Sequence, residues 1–284
     1  MRTAPLSILI ALVVTLGAHA QIKILQVTNA ADYTNTSGVQ FEIPANGGLA
    51  ALDCTGLAGS VETIPATAYP LPLELAGVSV DVFGVPAPIL GIAFLSDHQQ
   101  INIQVPWEAV VRKIAGVYTN SIEVRQNGQY DRIKVQSGLG IGRLFSDANG
   151  YGIAQHASDY SPITRSSPAH PGELVIVYAT GLGPADISQQ TGYPPSPKPL
   201  SRILGSVDVV LAGTPTQVLF EGLVPGLVGI NQINFQVPTS TAAGSLDLKL
   251  SMTLTGCFPF GMCMNGQTPQ TVTEVSPSVK IPVS

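Results

Sequence analysis

The stretch QINIQVP, residues 100–106, alternates strictly. Ile101, Ile103 and Val105 fall on one side of an extended chain, and Gln100, Asn102 and Gln104 on the other. A period of two marks a half-buried β-strand. Pro106 ends it, because proline lacks the N–H a ladder needs and holds the preceding residue extended. The pattern returns at residues 232–238 as QINFQVP, with Phe235 standing where the first copy has Ile103. Elsewhere, Ser121–Gln126 and Gln129–Val135 flank Asn127-Gly128, the strongest short hairpin signal, since both turn residues tolerate the positive φ of a type I′ turn. In that register Ile122 opposes Ile133 and Glu123 opposes Arg132, two complementary pairs. Further strands are predicted at Leu174–Tyr178, Val207–Leu211, Gln217–Phe220, Leu246–Leu254 and Val272–Val283. No sustained helical period occurs beyond residue 20, so short strands broken by Gly and Pro predict an all-β sandwich fold.

The duplication reaches beyond the two heptapeptides. Thr55-Gly56-Leu57 matches Thr180-Gly181-Leu182, Val80-Asp81-Val82 matches Val207-Asp208-Val209, Gly84 matches Gly213, and Ile101-Asn102 matches Ile233-Asn234. The offsets, 125, 127, 129 and 132, rise slowly and in order. Two copies of one fold, the second with slightly longer loops, produce this progression.

The first twenty residues, MRTAPLSILIALVVTLGAHA, combine Arg2, an apolar stretch from Leu6 to Leu16, and the small residues of Ala18-His19-Ala20. That is a secretory signal peptide, residues 1–20, cut before Gln21, and it predicts a secreted or periplasmic protein. The apolar stretch is too short for a membrane span and no later run is long enough. Loss of Arg2 leaves 12 basic against 18 acidic residues, a net charge of −6, so nucleic acid is excluded as a partner. With 29 Gly, 23 Pro and 45% hydrophobic residues, the chain has material for real cores and many turns.

Four motifs carry a family resemblance: HQQINIQVP from His98, IGRLFSDANGYGIAQH from Ile141, PGELVIVYATGLGP from Pro171, and VLFEGLVPGLVGINQINFQVP from Val218. In order and spacing, over roughly residues 40 to 250, the chain resembles the Solibacter uncharacterised C-terminal domain family of acidobacterial secreted proteins. The resemblance implies an immunoglobulin-like architecture and brings no activity, cofactor or catalytic residue with it. The expectation is therefore two tandem immunoglobulin-like β-sandwich domains, residues 21–140 and 141–284, joined through Gly138 to Phe145. Gly256–Gly266, GCFPFGMCMNG, departs from the family pattern as an insertion.

Features shared by both copies are most simply requirements of the fold. The repeated amides Asn102, Gln104, Asn234 and Gln236 are accordingly read as a solvent or inter-domain face. Features in one copy only are the better binding candidates. Trp107 follows Pro106, whereas Thr239 follows Pro238, and an indole at a strand end either stacks on a sugar or anchors a partner, or packs against the neighbouring domain. Cys257 and Cys263 are placed to form a disulfide in an oxidising compartment. Beside them Phe258, Phe260, Met262 and Met264 either fold back onto the sandwich or form an apolar tip that meets a partner. Cys54 is left as a buried small hydrophobe.

Asp147-Ala148-Asn149-Gly150 lacks the closing bidentate acid of a calcium loop and is read as a turn. His98, His156 and His170 show no metal-ligand spacing, so no metal, cofactor or catalytic residue is expected. The Pro-rich segment 193–199 is read as an exposed loop. The function expected is non-catalytic binding or assembly at the cell envelope or outside it, with a protein or glycan at the cell surface as partner. A glycan-binding module requires exposed aromatic rings, and a secreted hydrolase requires one of the three histidines within reach of a serine or carboxylate.

Overall fold

The computed structural model describes residues 21–33, 41, 43–59, 62–110, 113–114, 117–118, 120–135, 142–256, 268 and 270–284. Residues 1–20, and 138–141 of the expected linker, lie outside them. The described residues contain strands and turns and no helix.

The first half builds β1 (Lys23–Asn29), β2 (Leu49–Thr55), β3 (Val78–Val82), β4 (Ile89–Phe94), β5 (Gln99–Gln104), β6 (Ser121–Gln126) and β7 (Gln129–Lys134). One sheet runs β1-β2-β5-β4 and the other β7-β6-β3, all antiparallel. With the strands lettered A to G in chain order, these are the ABED and CFG sheets of an immunoglobulin constant-type sandwich.

The second half repeats the plan with β8 (Arg143–Leu144), β9 (Ala154–His156), β10 (Leu174–Thr180), β11 (Ser206–Leu211), β12 (Gln217–Leu223), β13 (Asn231–Gln236), β14 (Gly244–Gly256), β15 (Gln270–Val275) and β16 (Val279–Val283). Both β8 and β9 pair with β10, which is followed by β13 and β12, while β11 and the pair β15/β16 flank β14. Strands A and G are thus each made in two pieces. The sequence predicted one strand over Val272–Val283. Instead the ladder breaks at Ser276-Pro277-Ser278, where Pro277 has no N–H to give. Ser276 bridges the gap: its Oγ accepts the Leu250 N–H at 2.9 Å and its own N–H donates to the Leu250 carbonyl at 2.8 Å.

Each sandwich closes over its own core. Ile24, Val27, Leu52, Ile101 and Ile103 face Val78, Val80, Val82, Ile122 and Val124 in the first. Val175, Val177, Ile233 and Phe235 face Val207, Val209, Leu248, Leu250 and Ile281 in the second. Each such fully buried aliphatic side chain contributes about 2 kcal/mol. The twin heptapeptides supply the E strands of both units, and their inward residues are completely buried. Matching turns follow the C strands: Phe83-Gly84 with φ 55° and 81°, and Ala212-Gly213 with φ 48° and 82°. The Asn127-Gly128 hairpin has the expected register, with Ile122 opposite Ile133 and Glu123 opposite Arg132.

The sandwiches are docked through the outer face of the first ABED sheet. Leu49, Ala30 and Ala51 pack with Leu90, Phe145 and Ile230. The Leu49 N–H donates to Thr180 Oγ1 at 2.8 Å, and that hydroxyl donates to the Gly229 carbonyl at 2.6 Å. Gln104 is buried here, and its Oε1 accepts the Gly192 N–H at 2.8 Å. Its counterpart Gln236 is exposed and donates only to the Gly172 carbonyl. The repeated amide row is therefore an inter-domain face in one copy and a solvent face in the other. The 193–199 segment has no regular structure and is mainly exposed, but Pro195 is buried and its carbonyl accepts the Gly226 N–H at 3.3 Å.

Candidate functional site

The outer face of the first CFG sheet is built in rows, because residues two apart on a strand point the same way. Register places Glu74, Ser79, Arg125 and Tyr130 side by side in one row, and Asp81, Glu123 and Arg132 in the next. Glu123 is the centre of this face. Its side chain is only 4% exposed, covered by the stems of Arg125 and Arg132, which are themselves 55% and 57% exposed. One carboxylate oxygen accepts from Arg125 Nε and the other from Arg132. This hydrogen bond and charge from Glu123 hold the Arg125 guanidinium above its ordinary pKa. The arrangement fixes two guanidinium groups in place while leaving most of their N–H donors outward.

Around them lies a groove of about 520 Å³, whose walls include Glu74, Ser79, Glu123, Arg125, Asn127 and Tyr130. Tyr130 is 60% exposed. Tyr130 and Arg132 also line a second hollow of about 530 Å³, together with Gln21, Gly128, Gln129 and Asp131. Both are open to solvent, shallow hollows on a sheet face lined mainly by polar groups.

Trp107 sits elsewhere. Its backbone N–H donates to Thr191 Oγ1 of the second sandwich at 3.0 Å, and Asn46 Nδ2 donates to its backbone carbonyl at 3.0 Å. The half-buried indole lies so close over Gly47 that a methyl group there would meet the ring at 2.1 Å. The indole thus packs on Gly47 of its own sandwich, and it is the backbone of Trp107 that reaches the second. Phe258, Phe260, Met262, Cys257 and Cys263 lie outside the described residues. Cys54 is fully buried, a free thiol on the B strand, and β6, the partner F strand, carries no cysteine to bridge to.

The histidines divide. His98 Nδ1 lies 2.7 Å from Asp97 Oδ1, and His170 Nδ1 lies 2.5 Å from Ser284 Oγ. His156, buried on β9, bridges Glu173 through Nδ1 and Ser167 Oγ through Nε2 at 3.1 Å. Glu173 is held from its other side, since Oε2 accepts the His170 N–H at 2.7 Å. With the ring proton on Nδ1, the order serine, imidazole, carboxylate is that of a serine-hydrolase triad. Two observations point the other way. The Ser167 carbonyl oxygen, which can only accept, lies 3.3 Å from the same Nε2 and calls for a proton on that nitrogen, whereas a base toward the Ser167 hydroxyl needs it bare. A groove of about 480 Å³ along Tyr151, Ile153, Pro162 and Arg165 does not have Ser167 or His156 in its walls.

Asp147 caps a plain turn, accepting the N–H groups of Asn149 at 2.8 Å and Tyr151 at 2.9 Å. Among the described residues no group of three or more His, Cys, Asp or Glu side chains is placed to hold a metal ion. No helix among them is long and apolar enough to cross a membrane.

Sequence reasoning saw the Glu123–Arg132 pair but missed the site. Arg125 and Tyr130 each read as an ordinary polar position on a hairpin, and the pairing of that hairpin with β3, which completes the face with Glu74, Ser79 and Asp81, leaves no local signal. A scan against models of protein families finds no match to this chain, and no curated protein matches it.

Proposed function

We propose that this is an exported binding or assembly protein, akin to the Solibacter-type secreted proteins, that acts at the cell envelope or outside it and does no chemistry on its ligand. The second sandwich covers the outer ABED face of the first, so the CFG face of that first unit is the one presented outward with a preformed polar groove. The single observation behind the reading is the Arg125–Glu123–Arg132 constellation with Tyr130 beside it. A buried carboxylate on the outside of a sheet is costly to desolvate. Nothing in the sandwich core uses it, whereas a binding face gains two pre-positioned guanidinium groups from it. The N-terminal signal pattern supports the compartment, and in it the pair Cys257/Cys263 is proposed to form a disulfide.

The test is co-sedimentation of the mature protein with washed envelopes of the producing cells, beside a Glu74→Ala/Tyr130→Ser variant. Both positions are exposed, so the variant folds normally. Binding by the native protein and its loss in the variant are expected. Equal binding by both would remove the groove from the reading, and no sedimentation of either would refute it.

A second reading, a secreted hydrolase, is favoured by the Ser167–His156–Glu173 contacts. It requires fluorophosphonate labelling of Ser167 that His156→Gln abolishes. A native protein that takes up no label eliminates it.

A further inference from the structure

Duplication supplies an internal control for the groove. The same outer face of the second sandwich is built from Ser206, Thr253 and Thr273 in one row, and Asp208, Ser251 and Val275 in the next. Its threonines satisfy one another, Thr253 with Thr273 at 3.0 Å and Thr255 with Thr271 at 2.9 Å. No guanidinium pair and no aromatic ring stand in those rows. The fold therefore has no need of the Arg–Glu–Arg–Tyr arrangement, which must be explained by what the first face touches.

Charge narrows the ligand. The groove walls hold two arginines, Arg125 and Arg132, against two glutamates, Glu74 and Glu123, and Asp81 lies opposite Glu123. No excess positive charge remains to attract a polyanion, and the acidic chain as a whole would repel one. What the walls offer is density of hydrogen bonding: guanidinium donors, carboxylate acceptors, and Asn127, Gln129 and Ser79, which do both. A ligand rich in hydroxyl groups uses both kinds at once. Tyr130 adds an exposed ring with a flat apolar face. The two hollows meeting at Tyr130 and Arg132 suit a chain of units better than a single small molecule.

We propose that the outer CFG face of the first sandwich binds a neutral glycan chain, one sugar ring stacked on Tyr130 and its hydroxyls held by Arg125, Arg132 and Glu74. This rests on the binding reading above and adds the ligand class to it. Glu123 acts as the positioning residue that keeps both guanidinium groups in the plane of the face.

The experiment measures binding of the mature protein to immobilised neutral oligosaccharides of glucan, mannan, galactan and xylan, beside uronate and sulfated counterparts, and to envelopes treated with periodate or with protease. Binding to at least one neutral glycan is expected, weakened about tenfold or more by Tyr130→Ala and unchanged by Lys249→Ala on the second sandwich. Arg132→Gln should weaken it too, and the Tyr130 variant decides the matter if that protein folds poorly. Envelope binding should be lost after periodate, which cleaves vicinal diols, and survive protease. Failure on every neutral glycan, preference for the acidic ones, or indifference to Tyr130→Ala overturns the proposal. Envelope binding that depends on the groove but survives periodate overturns the glycan alone and leaves the binding reading standing. Absence of all envelope binding removes both.

Discussion

Asp32 and Arg143 meet across the boundary between the sandwiches, with Arg143 Nη1 donating to both carboxylate oxygens at 3.2 and 2.9 Å. Their side chains are 11% and 3% exposed. Two charges so far from water depend on one another, because each has given up its hydration. Arg143→Met should therefore destabilise the protein by about 3 kcal/mol, and replacing both residues with apolar ones should cost much less. Urea unfolding of the single and double variants measures this. A single variant as stable as the double would show that loss of Arg143 strands no charge on Asp32.

Gly48 lies against the second sandwich's Gly181. A methyl group on Gly48 would stand 2.8 Å from the Gly181 Cα and 2.9 Å from the Ala45 carbonyl oxygen, both backbone atoms that cannot swing away. Gly48→Ala should force the two units apart locally, at about 1–3 kcal/mol, while each core keeps its packing. Hydrogen exchange should then quicken at Leu49 and Gly192, whose N–H groups cross the boundary, and stay slow at Val80 and Val209. Uniform quickening would mean that Gly48 matters to the first sandwich itself.

Much of this architecture was legible because strands announce themselves by alternation and because the chain repeats. The Thr55/Thr180, Val80/Val207 and Gly84/Gly213 matches fall at the ends of the B strands, in the C strands and in the turns after them. Less was legible of what surrounds each copy. Gln104 and Gln236 sit in nearly the same sequence context, yet only the first is covered by a neighbour, and the local differences, Ile103 for Phe235 and Trp107 for Thr239, do not announce it. The Ser167–His156–Glu173 contacts escaped detection for a related reason. Their members come from a strand, a tight turn and a loop, and their spacing follows no motif. The groove escaped because the hairpin register pairs Arg125 with Tyr130 but says nothing of Glu74, Ser79 and Asp81, which distant stretches of chain bring beside them.

Cys54 offers a check on the first core. Burial, with smaller contributions from the nearby Asp53 and Asp131 charges, pushes its thiol well above the usual range. A thiol that neither ionises nor meets solvent is a poor nucleophile. Cys54 should resist iodoacetamide in the native protein and react at the rate of global unfolding, whereas a thiol in a mobile edge would react in native buffer. Labelling followed by peptide mapping separates the two.

Acid should act first on the second sandwich. Asp147 is held below the usual carboxylate range mainly by the Tyr151 N–H, Asp159 by the Ser161 N–H, and Asp247 by its bond to Lys280. In the first sandwich only Asp97, beside His98, is clearly lowered among the described residues. A carboxyl whose folded pKa is lowered binds its proton more weakly than in the unfolded chain. Its stabilisation is complete above the ordinary value of about 3.9 and is lost as pH falls through the lowered one. All these groups are exposed, so each effect is small. Together they predict that amide protection in β14 and β16 falls before that in β2 and β5 between about pH 4 and about pH 2. Asp147→Asn, which has no proton to gain, should flatten the dependence of the urea midpoint on pH over the same interval. A variant whose midpoint declines in parallel with the native protein would assign the acid sensitivity to other carboxyls.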